Sequence, residues 1–548
     1  MKQRGWDQCD VIIVSGDAYI DHPSFGPAII GRVLENAGFK VGMIAQPDWK
    51  SDSDFLKLGK PKLFFAVTAG NIDSMVSHYT VNRKKRRQDL YSPGGKMGLR
   101  PNRASIVYTG KLKSLFNKVP VVLGGIEASL RRIAHYDYWD DKLRRSILLD
   151  AKADLLIYGM GEKPVIGVAR LLQEGKTIED LEVPGTVSMS KSIPKNAEQL
   201  PSWENVNNDK KAYNQSVALH YKYRNPHFSK TVVQSYGNRH LIHFPPPPIM
   251  SEKEMDQVYA LPYTYSPHPA YGKQIIPAYE QIFGSITSHR GCFGNCTFCA
   301  ITAHQGSAIQ SRSASNIKNE INKISHHTRF KGTITDVGGP SANMYKVACR
   351  IGGCKTMDCL FPKVCKHLQV EKQEDYVNLL HDAVKIKGIK HVFIASGLRH
   401  DLLLQNKKAL KAAIQNFTGG HLKIAPEHIE KEVTDIMNKP DGDIYFAFEK
   451  EFEKLSRQAN KKQYLVPYFI SGHPGSTLES MKNVRDFLKK RGQKLQQAAD
   501  FYPTPMTLAT AMYYTGYHPL TGEKVYTAKT YEEKQKQMRL IFWHKNKS

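Results

Sequence analysis

Cys292, Cys296 and Cys299 stand at C-x3-C-x2-C spacing in the stretch R-G-C-F-G-N-C-T-F-C-A, residues 290 to 300. Thiolates are soft ligands suited to iron–sulfur clusters. Gly291 and Gly294 let the intervening backbone turn either way, so a short loop can bring three sulfurs onto one cubane. Three thiolates for the four irons of a [4Fe-4S] cluster leave one iron without a protein ligand, where a small molecule can coordinate. A disulfide would need an oxidising compartment. Zinc would need a distant fourth ligand such as His304.

Phe298 directly before the last cysteine gives C-x3-C-x-aromatic-C. That pattern resembles the signature of radical S-adenosylmethionine (SAM) enzymes, and SAM is then the expected small molecule on the open iron.

Four of the remaining five cysteines, Cys349, Cys354, Cys359 and Cys365, crowd into a second group broken by Gly352, Gly353 and Pro362. Four thiolates in an irregular loop can hold an auxiliary iron–sulfur cluster or a zinc ion, and the cluster is the preferred reading. Cys9, just before the first apolar run, reads as a lone structural thiol.

The elements that position these residues follow a β/α rhythm. Ile282 to Ser288 reads as a strand feeding the cysteine loop, and Ile317, Ile321 and Ile324 mark an amphipathic helix after it. Further strands are expected at Thr333 to Val337, Lys390 to Ala395, Leu422 to Ala425 and Tyr464 to Ile470. This is a partial (β/α) barrel, whose active site lies at the carboxyl ends of the strands. Those ends carry Gly338-Gly339, Ser396-Gly397-Leu398-Arg399, Pro426-Glu427-His428 and Ser471-Gly472-His473. Gly338, Gly339 and Gly472 would let backbone approach a bound nucleoside. Ser396 is placed for a ribose hydroxyl, and Arg399 or Glu427 for the amino-acid end of SAM.

Ahead of this core, Val11 to Val14, Lys40 to Ala45, Leu63 to Val67, Val119 to Leu123 and Asp154 to Tyr158 read as strands between helical stretches. The pattern predicts a Rossmann-like, doubly wound parallel sheet. Its order resembles the cobalamin-binding-type domain that precedes many radical SAM cores. A D-x-H-x-x-G motif is missing, since Asp21 and His22 are adjacent, so the expectation is a scaffold without corrinoid. The expected domains are 1–190 for this unit, 191–276 as an irregular connecting segment ending in Pro245 to Pro248, 277–520 for the core with its insertion 349–365, and 521–548 as a basic tail.

With 78 Lys+Arg against 51 Asp+Glu, the chain carries a formal charge of +27, which favours polyanions such as RNA. The run Arg83 to Arg87 and the basic, aromatic stretch Arg131 to Trp139 are the candidate surfaces, although the second equally suits an amphipathic helix packed on its domain. No apolar run approaches the roughly 18 residues that cross a bilayer. Val11 to Val14 reads as a strand rather than a signal peptide. The expected compartment is the reducing cytoplasm.

The resemblance becomes specific over most of the chain. T-S-H-R-G-C-F-G-N-C-T-F-C-A-I (287–301), T-D-V-G-G-P-S-A-N-M-Y (335–345), I-A-S-G-L-R-H-D (394–401), K-I-A-P-E-H (423–428), P-Y-F-I-S-G-H-P-G (467–475) and F-Y-P-T-P-M (501–506) are similar to the YgiQ-type radical SAM family, as is V-S-G-D-A-Y-I-D-H-P-S-F-G (14–26). The resemblance implies [4Fe-4S] ligation by Cys292, Cys296 and Cys299, SAM on the open iron and a reducing electron donor. Pro340 stands where a Glu commonly follows the two glycines, which removes one carboxylate contact. The expected function is reductive cleavage of SAM to a 5′-deoxyadenosyl radical acting on an unknown substrate. Two alternatives are an iron–sulfur RNA-binding protein without SAM turnover and a cobalamin-dependent radical methyltransferase.

Overall fold

The structure, a computed structural model, describes residues 1–545. It holds two compact units, Met1–Ile249 with Gln257–Phe283, and Met250–Asp256 with Gly284–Ser548.

The first unit is built on a nine-stranded sheet. In chain order its strands are β1 Val11–Ser15, β2 Val41–Ala45, β3 Phe64–Thr68, β4 Val121–Gly124, β5 Leu155–Ile157, β6 Thr186–Ser190, β7 Glu198–Gln199, β8 Val232–Tyr236 and β9 Arg239–His243. Their spatial order is β7-β8-β9-β6-β5-β4-β3-β1-β2. The strands from β5 to β2 pair in parallel. β1 is buried along its whole length, as an unbroken apolar run in a sheet covered on both faces should be. Helices α1 (Gly26–Asn36) and α3 (Glu162–Gln173) share a core cluster with Val11, Ile13, Phe64 and Leu155. Helix α2 (Ala104–Leu115) buries Tyr108 and Leu112. Each fully buried large apolar side chain contributes ~1.5–3 kcal/mol to such a core.

The chain runs from β1 out to β2 and then returns to β3 on the other side of β1. This doubly wound order leaves a switch point between β1 and β3, where ligands usually bind. Here that crevice is filled by the protein itself. The Arg100 guanidinium lies 2.9 Å from both Asp17 and Asp89 and donates to the Ala69 carbonyl at 2.7 Å. All three charged side chains are buried. The backbone also closes in: a side chain at Gly16 would meet the Ala69 oxygen at 2.3 Å.

Residues 191–276 differ from the irregular connector that their polar sequence suggests. They supply β7, β8 and β9 and the helix Lys210–Tyr223, because β6 pairs antiparallel with β9 and extends the sheet beyond its parallel part. The proline run joins in too, with the Pro245 carbonyl accepting from the Gly185 N–H. Residues 257–283 also fold with the first unit: Ser266–Pro267 pairs with Ile20–Asp21, and the Ala278 N–H donates to the Leu90 carbonyl.

Buried histidines give this unit a pH signature. His22 is enclosed by Phe25 and Tyr265 with Asp21 beside it, and burial pushes it down to about 4. Burial, followed by Arg131, also lowers His135, which sits among Arg131, Asp137 and Arg144. Both rings stay neutral in the fold, whereas the unfolded chain binds protons near pH 6.5. The unfolded state therefore gains protons first, and stability falls as pH drops from about 6.5 towards about 4, at ~1.4 kcal/mol per pH unit for each ring. Melting temperatures measured across this range should show that slope, and His22→Gln should remove one ring's share of it.

In the second unit, parallel pairings follow chain order. β10 (Ser285–Thr287) pairs with β12 (Asp336–Gly338), β11 (Thr333–Ile334) with β13 (His391–Val392), and β14 (His421–Glu427) with β15 (Tyr464–Ser471), which pairs with β16 (Ala499–Asp500). A bridge from Leu398 to Ile424 links the middle of the series. Helices alternate with these strands: α4 (Ala300–Gln305), α5 (Ala314–Ser325), α6 (Gln373–Val384), α7 (Lys407–Phe417), α8 (Lys431–Met437), α9 (Gly442–Gln458) and α10 (Leu478–Lys490). Ile317, Ile321 and Ile324 of α5 are fully buried, as their spacing requires. This is a partial (β/α) barrel. Helix α11 (Leu508–Thr515) follows.

The stretch 521–548, whose basic composition suggests a tail, instead forms α12 (Tyr531–Ile541), opened by a capping box of Thr530 and Glu533. Its Gln537 accepts from the Gly472 N–H at 2.8 Å and donates to the Ser476 carbonyl at 2.7 Å, which ties it to the end of β15. Residues 546–548 lie outside the described residues.

Candidate active site

The cysteine loop leaves the end of β10 and is fixed along its length. The Cys292 N–H donates to the Gly306 carbonyl and the Gly291 N–H to Gln305 Oε1. Thr297 donates from its N–H to the Met437 carbonyl and from its hydroxyl to the Ile436 carbonyl, using the open end of α8. Asn438 caps that helix in the left-handed region and donates to the Asn295 carbonyl. On the other side, the Thr297 carbonyl accepts from the Ala509 N–H in α11.

Gly291 has φ +86°, and a side chain there would stand 1.9 Å from the Ala308 oxygen. Gly291→Ala should therefore displace the loop, costing more than ~1 kcal/mol and lowering the iron retained after anaerobic reconstitution. Full iron loading with unchanged melting would show that the glycine is dispensable.

The three sulfurs act on one another. Burial and then Cys296 raise the Cys292 thiol to about 11 and the Cys299 thiol to about 12. A bound metal displaces those protons. Donors are already aimed at the sulfurs: the Gly294 N–H reaches Cys292 Sγ at 3.4 Å and Arg399 Nη1 reaches Cys296 Sγ at 3.5 Å. Among the described residues, no three His, Cys, Asp or Glu side chains converge as a single metal ion requires. A cubane makes no such demand, because each thiolate binds a different iron. Three thiols on one anchored loop, with N–H donors on two of the sulfurs, fit a [4Fe-4S] cluster.

Arg399 differs from its expected use at the amino-acid end of SAM. Its Nε and Nη2 are held by Asp401 at 2.8 and 2.6 Å, and its Nη1 turns to the cysteine loop. Against the burial that pushes it up, the Arg399 guanidinium holds the Asp401 carboxyl well below the usual carboxylate range.

Glu427 ends β14 with φ +69°, which is unusual for a side chain-bearing residue, and its buried Oε2 has no hydrogen-bond partner. Burial raises its pKa, with the Lys439 and Arg399 cations opposing.

Gly338 and Gly339 are tightly placed: side chains there would meet Ser396 Oγ at 2.0 Å and the His289 ring at 2.6 Å. The Ser396 hydroxyl donates to Asp336 Oδ1 at 3.2 Å, and the N–H groups of Ala395 and Ser396 donate to that same oxygen. Gly472 is committed to Gln537. Phe298 packs edge-on to His473 at 5.7 Å.

Sequence reasoning gave no role to Asp336, Asp401, His428, Lys439, His473 and Gln537. The histidines are informative. His428 Nδ1 accepts from the Glu430 N–H, so its Nε2 carries the proton in the neutral ring. His473 Nδ1 donates to the Pro474 carbonyl, so its Nε2 is bare. Both Nε2 atoms are buried without a partner, one a donor and one an acceptor. Unmatched buried groups of this kind suit a bound polar ligand. Their signal lay in the strand-end motifs E-H and G-H-P, which contain them.

Of the two basic stretches, Arg83 to Arg87 is exposed, whereas Arg131, Arg132, His135, Tyr136 and Tyr138 are buried. No described helix is long and apolar enough to cross a membrane.

This cysteine loop on a partial barrel belongs to a radical SAM enzyme. Residues 286–488 match the Radical SAM superfamily, residues 1–285 the Radical SAM N-terminal family, and residues 496–548 a domain of unknown function (DUF3362). The chain belongs to the UPF0313 family. It is 50% identical to a UPF0313 protein of Clostridium botulinum (strain ATCC 19397 / Type A), over 99% of this chain and 85% of that one. It is 46% identical to those of Methanocella arvoryzae, over 100% and 92%, and Geobacter sulfurreducens, over 99% and 91%. Among solved structures it resembles TsrM from Kitasatospora setae, a radical S-adenosylmethionine methyltransferase with tryptophan substrate and a SAM analog bound. That match has 14% identity and a TM-score of 0.50, over 91% of this chain and 75% of the other, which is a likeness of fold. Superfamily membership implies a [4Fe-4S] cluster and SAM.

Proposed function

We propose that Cys292, Cys296 and Cys299 hold the [4Fe-4S] cluster and that the strand ends around Gly338, Ser396, Glu427 and His473 receive SAM and the substrate. The cluster, when bound, supplies the electron that splits SAM into methionine and a 5′-deoxyadenosyl radical, which takes hydrogen from the substrate. Arg399, clamped by Asp401, holds Cys296 in place and offsets negative charge on the sulfurs. Gly338 and Gly339 keep the backbone bare where a nucleoside would lie. Glu427 is the carboxylate for the SAM amino group, and Phe298 with His473 walls the site against water. The observation carrying this reading is the loop itself, three thiols with an N–H and a guanidinium directed at the sulfurs. Anaerobic reconstitution, reduction and SAM addition should yield 5′-deoxyadenosine; a fully loaded protein that binds no SAM would rule the reading out.

The first unit serves as scaffold without a corrinoid. The support is the switch point filled by Asp17, Arg100 and Asp89, together with the fully buried His22. After incubation with hydroxocobalamin and gel filtration, the protein should carry no corrinoid absorption; stoichiometric absorption would favour a cobalamin-dependent methyltransferase. Any contact with RNA or another polyanion rests on Arg83 to Arg87.

A further inference from the structure

The chemistry above leaves Cys349, Cys354, Cys359 and Cys365 unused. They sit in a loop without helix or strand, closed at its neck by a bridge between Cys349 and Leu368 and by the Arg350 N–H donating to the His367 carbonyl. Inside it the Cys365 N–H donates to the Cys359 carbonyl at 2.8 Å, and Gly352 turns with φ +74°. The Leu368 N–H donates to the Cys365 carbonyl at 3.1 Å, so the neck bridge brings Cys349 towards Cys365 as well. We propose that these four cysteines bind a second iron–sulfur cluster, closed by four thiolates, that relays electrons to the cluster on Cys292, Cys296 and Cys299.

Two observations carry the proposal. Among the described residues no three ligating side chains are placed for a single metal ion. A cluster gives each thiolate its own iron. The loop is cationic, with Lys355, Lys363 and Lys366 against Asp358, which balances the negative charge of a four-thiolate cluster.

Position supplies the relay. Phe293, Met344, Val347, Leu360, Leu368 and Leu402 form one buried apolar cluster, and Cys292 packs against it together with Cys359 and Cys365. Met357 Sδ also accepts from the hydroxyl of Ser307, just beyond α4. Outward, Ile351 is 57% exposed, an apolar contact for a donor protein. A cluster with every iron ligated by protein has no place for SAM, so its chemistry is electron transfer. A one-electron donor of the flavin or iron–sulfur class is oxidised, the second cluster is reduced by that electron and reoxidised as it passes it on, and no bond or proton changes there.

The site and the relay are tested separately. The chain with Cys292, Cys296 and Cys299 all replaced by alanine should bind about four irons and four sulfides after anaerobic reconstitution, against about eight of each in the unaltered chain. Zinc in place of iron, or no metal, overturns the site. For the relay, SAM cleavage is driven by dithionite or by reduced flavodoxin in the chain with all four loop cysteines replaced by serine, and in Cys354→Ser alone. The single variant carries the comparison if the fourfold one fails to load its remaining cluster. Dithionite-driven cleavage should persist while flavodoxin-driven cleavage falls by about tenfold or more; equal retention with both donors overturns the relay. Because the relay rests on the proposed function, the unaltered chain is the control. No cleavage there, with iron still bound by the triple variant, sinks the function and the relay but leaves the second site standing.

Discussion

Cys296→Ala will abolish SAM cleavage while leaving the chain folded. Cys296 is the middle thiol of the loop, and it raises the pKa of both its neighbours more than any influence except burial. It also receives the Arg399 guanidinium. Two thiolates cannot retain a cubane built for three, so the site that would bind SAM is lost. The backbone anchors at Thr297, Cys292 and Gly291 run through main-chain atoms and other side chains, so the loop itself should persist. Expected are 5′-deoxyadenosine at the level of a no-protein control and an iron content lower by about four per chain. Product formation by this variant would mean that the cluster is held elsewhere.

Arg399→Met will destabilise the second unit and make the reaction cluster harder to reduce. The substitution strands the Asp401 carboxylate, 4% exposed, without the cation that holds it ionised. Removing one partner of a buried pair costs ~3–5 kcal/mol, while replacing both by apolar groups is often neutral. The double variant Arg399→Met, Asp401→Leu should thus recover most of the lost melting temperature. It should not recover the potential, since the N–H donor to Cys296 Sγ and the adjacent positive charge are both gone, and each favours the reduced cluster. Potentiometric titration of the two variants separates the roles. A double variant with unaltered potential would leave Arg399 a purely structural residue.

Much of this was legible in the chain. Apolar runs marked β1 and β3 because a strand largely buried on both faces needs no polar alternation, and the three isoleucines of α5 stated their helix outright. The cysteine loop was legible because its chemistry fixes residue type and spacing together. What was not legible depends on partners distant in sequence. β8 and β9 are polar enough to read as connector, and only pairing with β6 makes them sheet. Helix α12 reads as a basic tail until Gln537 is seen holding Gly472. Arg399 looked like a ligand for SAM because the sequence shows a cation at a strand end. It cannot show that Asp401, two residues on, already holds that cation.

The filled crevice of the first unit bears on what this protein can become. Arg100 answers two carboxylates, Asp17 and Asp89, so losing Arg100 leaves both buried without their cation, whereas losing either acid keeps an ion pair. The three positions are therefore unequal, and Arg100 is the one the interior cannot release by itself. Substitution should accordingly be tolerated better at Asp17 or Asp89 than at Arg100.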